Sequence, residues 1–89
     1  MSDPGDPWRV EFHAAADIET IGLAPGPFKA LVTALREVAR DPWTAGRPSA
    51  SGDGPAWRWI SWGDGYGVAE YYISPDSNLV TVYRVVWIG

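Results

Sequence analysis

With 89 residues, including six Trp, four Tyr and two Phe, the chain reads as one small domain whose core rests on aromatics, each burying roughly 150–250 Å2. Eleven Asp and Glu against seven Lys and Arg give a formal net charge of −4, which weighs against an autonomous nucleic-acid binder, because such affinity rests on cations neutralising phosphates. With no cysteine and one histidine, the chain excludes a disulfide framework, a thiolate metal site and a cysteine nucleophile, so no metal and no cofactor are expected.

Residues 1–7 carry two prolines and two aspartates and read as a flexible N-terminal arm. The arm has no apolar segment of the signal-peptide kind. No apolar run in the chain approaches the ~20 residues that span a bilayer, so a soluble, cytoplasmic protein is expected. Residues 8–89 are read as a single domain. Trp8-Arg-Val-Glu-Phe12 alternates apolar and charged residues, which predicts a strand with Trp8, Val10 and Phe12 facing a core. Ala14–Ile21 is a short helix with Ala14, Ile18 and Ile21 on one stripe, and Gly22 is its stop. Pro27 suits the first position of a second helix that runs to about Arg40. In it Phe28, Leu31, Val32, Leu35, Val38 and Ala39 follow the i, i+3, i+4, i+7 pattern of a buried stripe. Asp41-Pro42 ends that helix, since a residue before proline avoids the helical region.

Residues 43–55 are mostly Gly, Pro, Ser and Ala and read as a surface loop. Three strands follow: Trp57–Trp62, Tyr66–Ile73 and Leu79–Trp87, joined by Gly63-Asp64-Gly65 and by Ser74-Pro-Asp-Ser-Asn78. The expected fold class is α+β, in the order β-α-α-β-β-β, with an antiparallel sheet packed on one face by two N-terminal helices.

Strict alternation divides the three strands into two faces. One holds Trp57, Trp59, Ala69, Tyr71, Ile73, Tyr83, Val85 and Trp87, carries no charge, and is expected under the helices. The other holds the strands' only charges, Arg58, Glu70 and Arg84, among apolar residues. Left open, it is expected to bind a partner through Ile60, Trp62, Val68, Tyr72 and Val82. Arg58, Glu70 and Arg84 are the candidate catalytic set: a carboxylate to take a proton from a 2′-hydroxyl and two guanidiniums to hold the developing charge. The plainer reading of the same three is a cross-strand salt bridge. His13 reads as a helix-opening or surface histidine, and Trp43 and Trp62 as the tryptophans free to bind. Gly63-Asp-Gly-Tyr-Gly67 lacks the lysine and following helix of a phosphate loop and reads as a hairpin.

Several of these pieces resemble the RelE/ParE toxin superfamily. Trp8–Phe12 followed by a helical hairpin resembles the opening of its members. So do the Asp41-Pro42 stop, the Gly63-Asp64 turn followed by the aromatic Tyr66, and the terminal Val82-Tyr-Arg-Val-Val86. The resemblance covers roughly residues 8–88. It implies a compact sheet with two N-terminal helices, in a toxin that cleaves messenger RNA on the ribosome or poisons DNA gyrase and is wrapped by a cognate antitoxin. Ribonuclease members carry basic residues on both sides of the turn. Here Ser61 stands before it and Gly67 or Val68 after it, and Trp87 falls near the family's C-terminal His, Arg or Tyr. The resemblance therefore supports the fold more than the chemistry. The expected activity is protein–protein binding on the open sheet face, to an antitoxin-like protein or to gyrase, with weak or absent ribonuclease chemistry. The alternatives are an active ribosome-dependent mRNA endoribonuclease using Arg58, Glu70 and Arg84, and a homo-oligomeric structural or regulatory domain formed by self-association.

Overall fold

The computed structural model describes residues 7–50, 52 and 54–89; the expected arm at 1–7 thus lies almost wholly outside the described residues. The elements are β1 (Arg9–Phe12), α1 (Ala14–Ile21), α2 (Pro25–Arg40), α3 (Pro42–Ala45), β2 (Arg47–Pro48), β3 (Trp57–Trp62), β4 (Gly67–Ser74) and β5 (Leu79–Trp87). Five strands form one sheet in the order β1-β5-β4-β3-β2. The meander β3-β4-β5 is antiparallel as expected, while β1 lies parallel to β5, with Val10 beside Val80 and Phe12 beside Val82. A parallel pair needs a long crossover, and everything from α1 to β4 supplies it.

The α1–α2 hairpin crosses back over one face, α1 over β5 and α2 over β3 and β1. The α2 stripe is buried at Leu31, Leu35, Val38 and Ala39, and the helix begins at Pro25, two residues before the expected start. The stripe expected on α1 is corrected. Ile18 and Ile21 face solvent, and Ala16 is the buried residue. Of the three alanines that open α1, Ala16 is the one turned to the sheet, where the short helix lies close on β5. Part of the stretch expected as a loop is also ordered. The Asp41 carboxylate accepts from Trp43 N–H at 3.1 Å and caps α3. Arg47 then pairs with Trp59, and Ser49 N–H donates to Trp57 C=O at 2.8 Å.

The division of the sheet into faces differs from strict alternation in two strands. Glu70 pairs with Arg84 but the next residue, Tyr71, pairs with Val82, so Tyr83 is an extra residue in β5. This bulge shifts the side-chain phase. Val80 and Val82 before it and Val85 after it are all buried against the helices. In β3 the buried residues are Ile60 and Trp62, opposite Ala69 and Gly67. Trp62 lies flat on Gly67, where an added Cβ would come within 2.3 Å of the indole, and stacks on Trp87 with centroids 4.8 Å apart. An indole can lie across its partner strand only where that strand presents no side chain, which fixes the phase of β3. The turn before β4 carries positive φ at Gly63, Asp64 and Gly65, the hairpin read from the sequence. Ile60, Trp62 and Val82 are therefore core residues, not a docking surface. Of the five residues expected there, only Val68 and Tyr72 lie on the open face.

Candidate functional site

The sheet face away from the helices presents Trp57, Trp59 and Ser61 from β3, Val68, Glu70 and Tyr72 from β4, and Thr81, Tyr83, Arg84 and Val86 from β5. The aromatics pack on one another. Trp57 meets Tyr72 edge-on at 5.0 Å and Tyr83 at 5.1 Å, and Tyr83 stacks on His13 at 5.0 Å. Beside them the Arg47 guanidinium sits 5.9 Å from the centre of the Trp59 ring, a cation–π contact. His13 caps α1, its Nδ1 accepting from Ala15 N–H at 3.3 Å, which matches the helix-opening role.

Glu70 and Arg84 are direct cross-strand neighbours. With Val68 and Val86 they line a hollow of about 180 Å3. The Glu70 carboxylate accepts from the Ser49 hydroxyl. Arg84 Nε lies 4.0 Å from the Glu19 carboxylate, whose other oxygen accepts from Val85 N–H at 3.0 Å. The sheet edge freed where β1 ends is thus closed by an α1 side chain, which leaves the guanidinium turned mainly to solvent.

Arg58 does not join them. The structure breaks the expected Arg58–Glu70–Arg84 set by placing Arg58 on the helix side, next to Tyr71 in the register. Its guanidinium donates to Gly46 C=O at 2.9 Å and to Pro55 C=O at 3.3 Å. The Tyr71 hydroxyl donates to Pro42 C=O at 2.8 Å. Together the two side chains fasten the α3–β2 segment to the sheet. The phase of β3 separates the two arginines, and the residues that the sequence reading placed in the core, Trp57, Trp59 and Tyr83, are the ones left on the open face. The signal that could have found this is Gly67, the one position of β4 with room for a tryptophan opposite.

Burial raises the Tyr71 phenol above its ordinary value of 10.0, with the Arg58 guanidinium pulling the other way. A phenol that ionises less readily folded than unfolded adds stability that is fully present below about pH 10 and is lost as pH climbs through the folded value. Tyr71→Phe is expected to cost about 1–3 kcal/mol at neutral pH, since Pro42 C=O loses a buried donor. The gap between wild type and variant is expected to narrow above pH 10. Urea titrations at pH 7 and across the alkaline range check both; a gap that widens with pH would contradict the assignment.

Among the described residues no group of three or more His, Asp or Glu is placed to hold a metal ion, and no helix is long and apolar enough to cross a membrane.

No protein-family model matches the sequence, and no curated protein matches it. Solved structures do. A chain of the toxin–antitoxin complex RelBE2 from Mycobacterium tuberculosis is 22% identical with a TM-score of 0.76, the match covering 96% of this chain and 95% of that one. A chain of the intact E. coli RelBE toxin–antitoxin complex is 17% identical with a TM-score of 0.79, covering 92% and 98%. The isolated E. coli RelE toxin is 19% identical with a TM-score of 0.77, covering 92% and 85%. The chain has the RelE-like toxin fold, as its turn and strand motifs indicated.

Proposed function

We propose that this chain is the toxin-fold component of a toxin–antitoxin-type module: a cytoplasmic protein of one domain, residues 8–89, that acts mainly by binding another protein on its open sheet face. The partner is an antitoxin-like protein, and the cellular target is reached by protein contact, as on gyrase or the ribosome. Ribonuclease chemistry is weak or absent.

The observation that carries this reading is the make-up of the open face. Trp57, Trp59, Tyr72 and Tyr83 share the face with the Val68–Val86 pair, and one carboxylate and one arginine, Glu70 and Arg84, form the next pair along the strands. The four aromatics are half-buried and the arginine is exposed; aromatics and arginine are the side chains that anchor protein interfaces. For RNA cleavage, Glu70 could serve as base and Arg84 as charge stabiliser. Arg58 lies on the opposite side, so β3 gives the open face no second guanidinium, and His13, the chain's one histidine, is engaged as the cap of α1. The solved toxin–antitoxin complexes with this fold support a protein partner for this chain as well.

Induced expression in a bacterial host is expected to arrest growth. Co-expression of an antitoxin-like protein, the product of a short reading frame beside the gene, is expected to restore it and to co-purify as a complex. Messenger RNA on programmed ribosomes is expected to stay intact. Cleavage that Glu70→Gln or Arg84→Ala abolishes would establish the endoribonuclease reading instead. Absence of both growth arrest and complex formation would overturn the toxin-module reading.

A further inference from the structure

We infer that the β4–β5 strip of the open face is an interface for a second copy of this chain. The strip holds two cross-strand pairs, one above the other: Val68 beside Val86, and Glu70 beside Arg84. Both valines are more than a third exposed, and all four side chains border the same hollow.

This pattern is its own complement. Place a two-fold axis above the sheet, parallel to the strands and midway between β4 and β5. Rotation about it carries β4 of the second copy over β5 of the first while keeping each residue at its own height along the strands. Glu70 then faces Arg84 of the other copy, twice. Val68 faces Val86, also twice. The axis brings no like charges together. Such an isologous contact is the commonest way for a soluble chain to form a closed dimer, and two sheets stacked face to face pack in this manner.

The charges inside one chain leave room for the contact. Arg84 is 65% exposed and reaches Glu19 only at 4.0 Å. Glu70 takes one hydroxyl, from Ser49, and a carboxylate has lone pairs for more. In the dimer each guanidinium gains a carboxylate, and the four valines cover the hollow. The same face is then closed to any other protein, so self-association and partner binding exclude one another. This goes beyond the partner reading and stands whether or not an antitoxin exists.

The test is the mass of the purified chain by sedimentation equilibrium over a concentration series. Wild type is expected to move from the 9.7 kDa monomer to twice that mass. Glu70→Arg makes the strip doubly basic and Arg84→Glu makes it doubly acidic. Each alone is expected to weaken dimerisation by more than about tenfold, because like charges now meet across the axis. Mixing the two variants is expected to restore a dimer, since every facing pair is again opposite in sign. Circular dichroism establishes that each variant folds. Should either fail to fold, Val68→Cys takes their place in the cysteine-free chain: the axis brings the two copies of residue 68 together, and a short bis-maleimide is expected to link that variant faster than Thr33→Cys, whose thiol lies on the exposed side of α2. A wild type that stays monomeric overturns the proposal. So do variants that dimerise like wild type, a mixture of folded variants that stays monomeric, or cross-linking through Val68→Cys no faster than through Thr33→Cys.

Discussion

Trp62→Ala is expected to lower the unfolding free energy by about 3–5 kcal/mol, the range for removing a large aromatic from a packed core. The indole is 3% exposed, lies on the bare backbone of Gly67 and stacks on Trp87. Neither neighbour can follow it into the space it leaves. Gly67 has no side chain to move, and Trp87 sits at the end of the last strand, where Gly63 packs against its ring. A domain of this size has total stability of roughly 5–15 kcal/mol, so the variant should stand close to unfolding at room temperature. Trp59→Ala is the control. Its ring lies on the open face under the Arg47 guanidinium, and its loss is expected to cost clearly less. Urea titration of both variants by far-UV circular dichroism, with m-values compared to wild type, gives the two numbers. Equal losses would mean that β3 does not turn Trp62 inward.

Arg58→Ala carries the second large effect, and its direction separates two roles for one residue. As a catalytic group Arg58 would be dispensable for stability. As placed here, its guanidinium holds the carbonyls of Gly46 and Pro55, and it stands beside Tyr71, which holds Pro42. Hydrogen bonds from a charged donor contribute about 1.5–3 kcal/mol, and the variant is expected to lose that much. The loss should be local as well as global. Amide exchange should speed up over 42–49, the segment that these bonds fasten, while the α2 core stays protected until global unfolding. Growth arrest measured at matched levels of folded protein is expected to be unchanged. A variant as stable as wild type but without toxicity would return Arg58 to the catalytic role.

Most of the architecture is legible in the residues. The 3.6-residue stripe from Leu31 to Ala39, the Asp41-Pro42 stop, the Gly63-Asp64-Gly65 turn and the β-branched run of the last strand each carry a local physical signal. Those signals specify elements and their order. The pairing of β1 beside β5 is non-local, and nothing in Trp8–Phe12 announces it beyond alternation. The candidate site was harder, because it depends on which way each strand faces. Alternation gives two phases per strand, and the charge criterion used to choose between them assumed that Arg58 must share a side with Glu70 and Arg84. Arg58 is accommodated on the helix side because the backbone carbonyls of Gly46 and Pro55 meet it there, and residues 43–55 give no sign of that in their composition. In β5 a single bulged residue, Tyr83, reverses the phase halfway along the strand. A run such as Val-Thr-Val-Tyr-Arg-Val-Val has apolar residues on both phases, so neither alternation nor hydrophobicity marks where the bulge falls.

Partner binding and self-association both rest on the division of the sheet into a covered and an open side, and that division has a direct chemical readout. The chain contains no cysteine, so single thiols can be introduced at Ile60, Val82, Val68 and Val86 and their labelling rates measured under native conditions. A thiol reacts as the thiolate and only when reagent reaches it. Val68→Cys and Val86→Cys are expected to label at close to the rate of the unfolded chain at low protein concentration, and Ile60→Cys and Val82→Cys only through opening of the fold, slower by orders of magnitude. Four thiols that label alike, or Ile60→Cys and Val82→Cys reacting as fast as the other pair, would contradict the division.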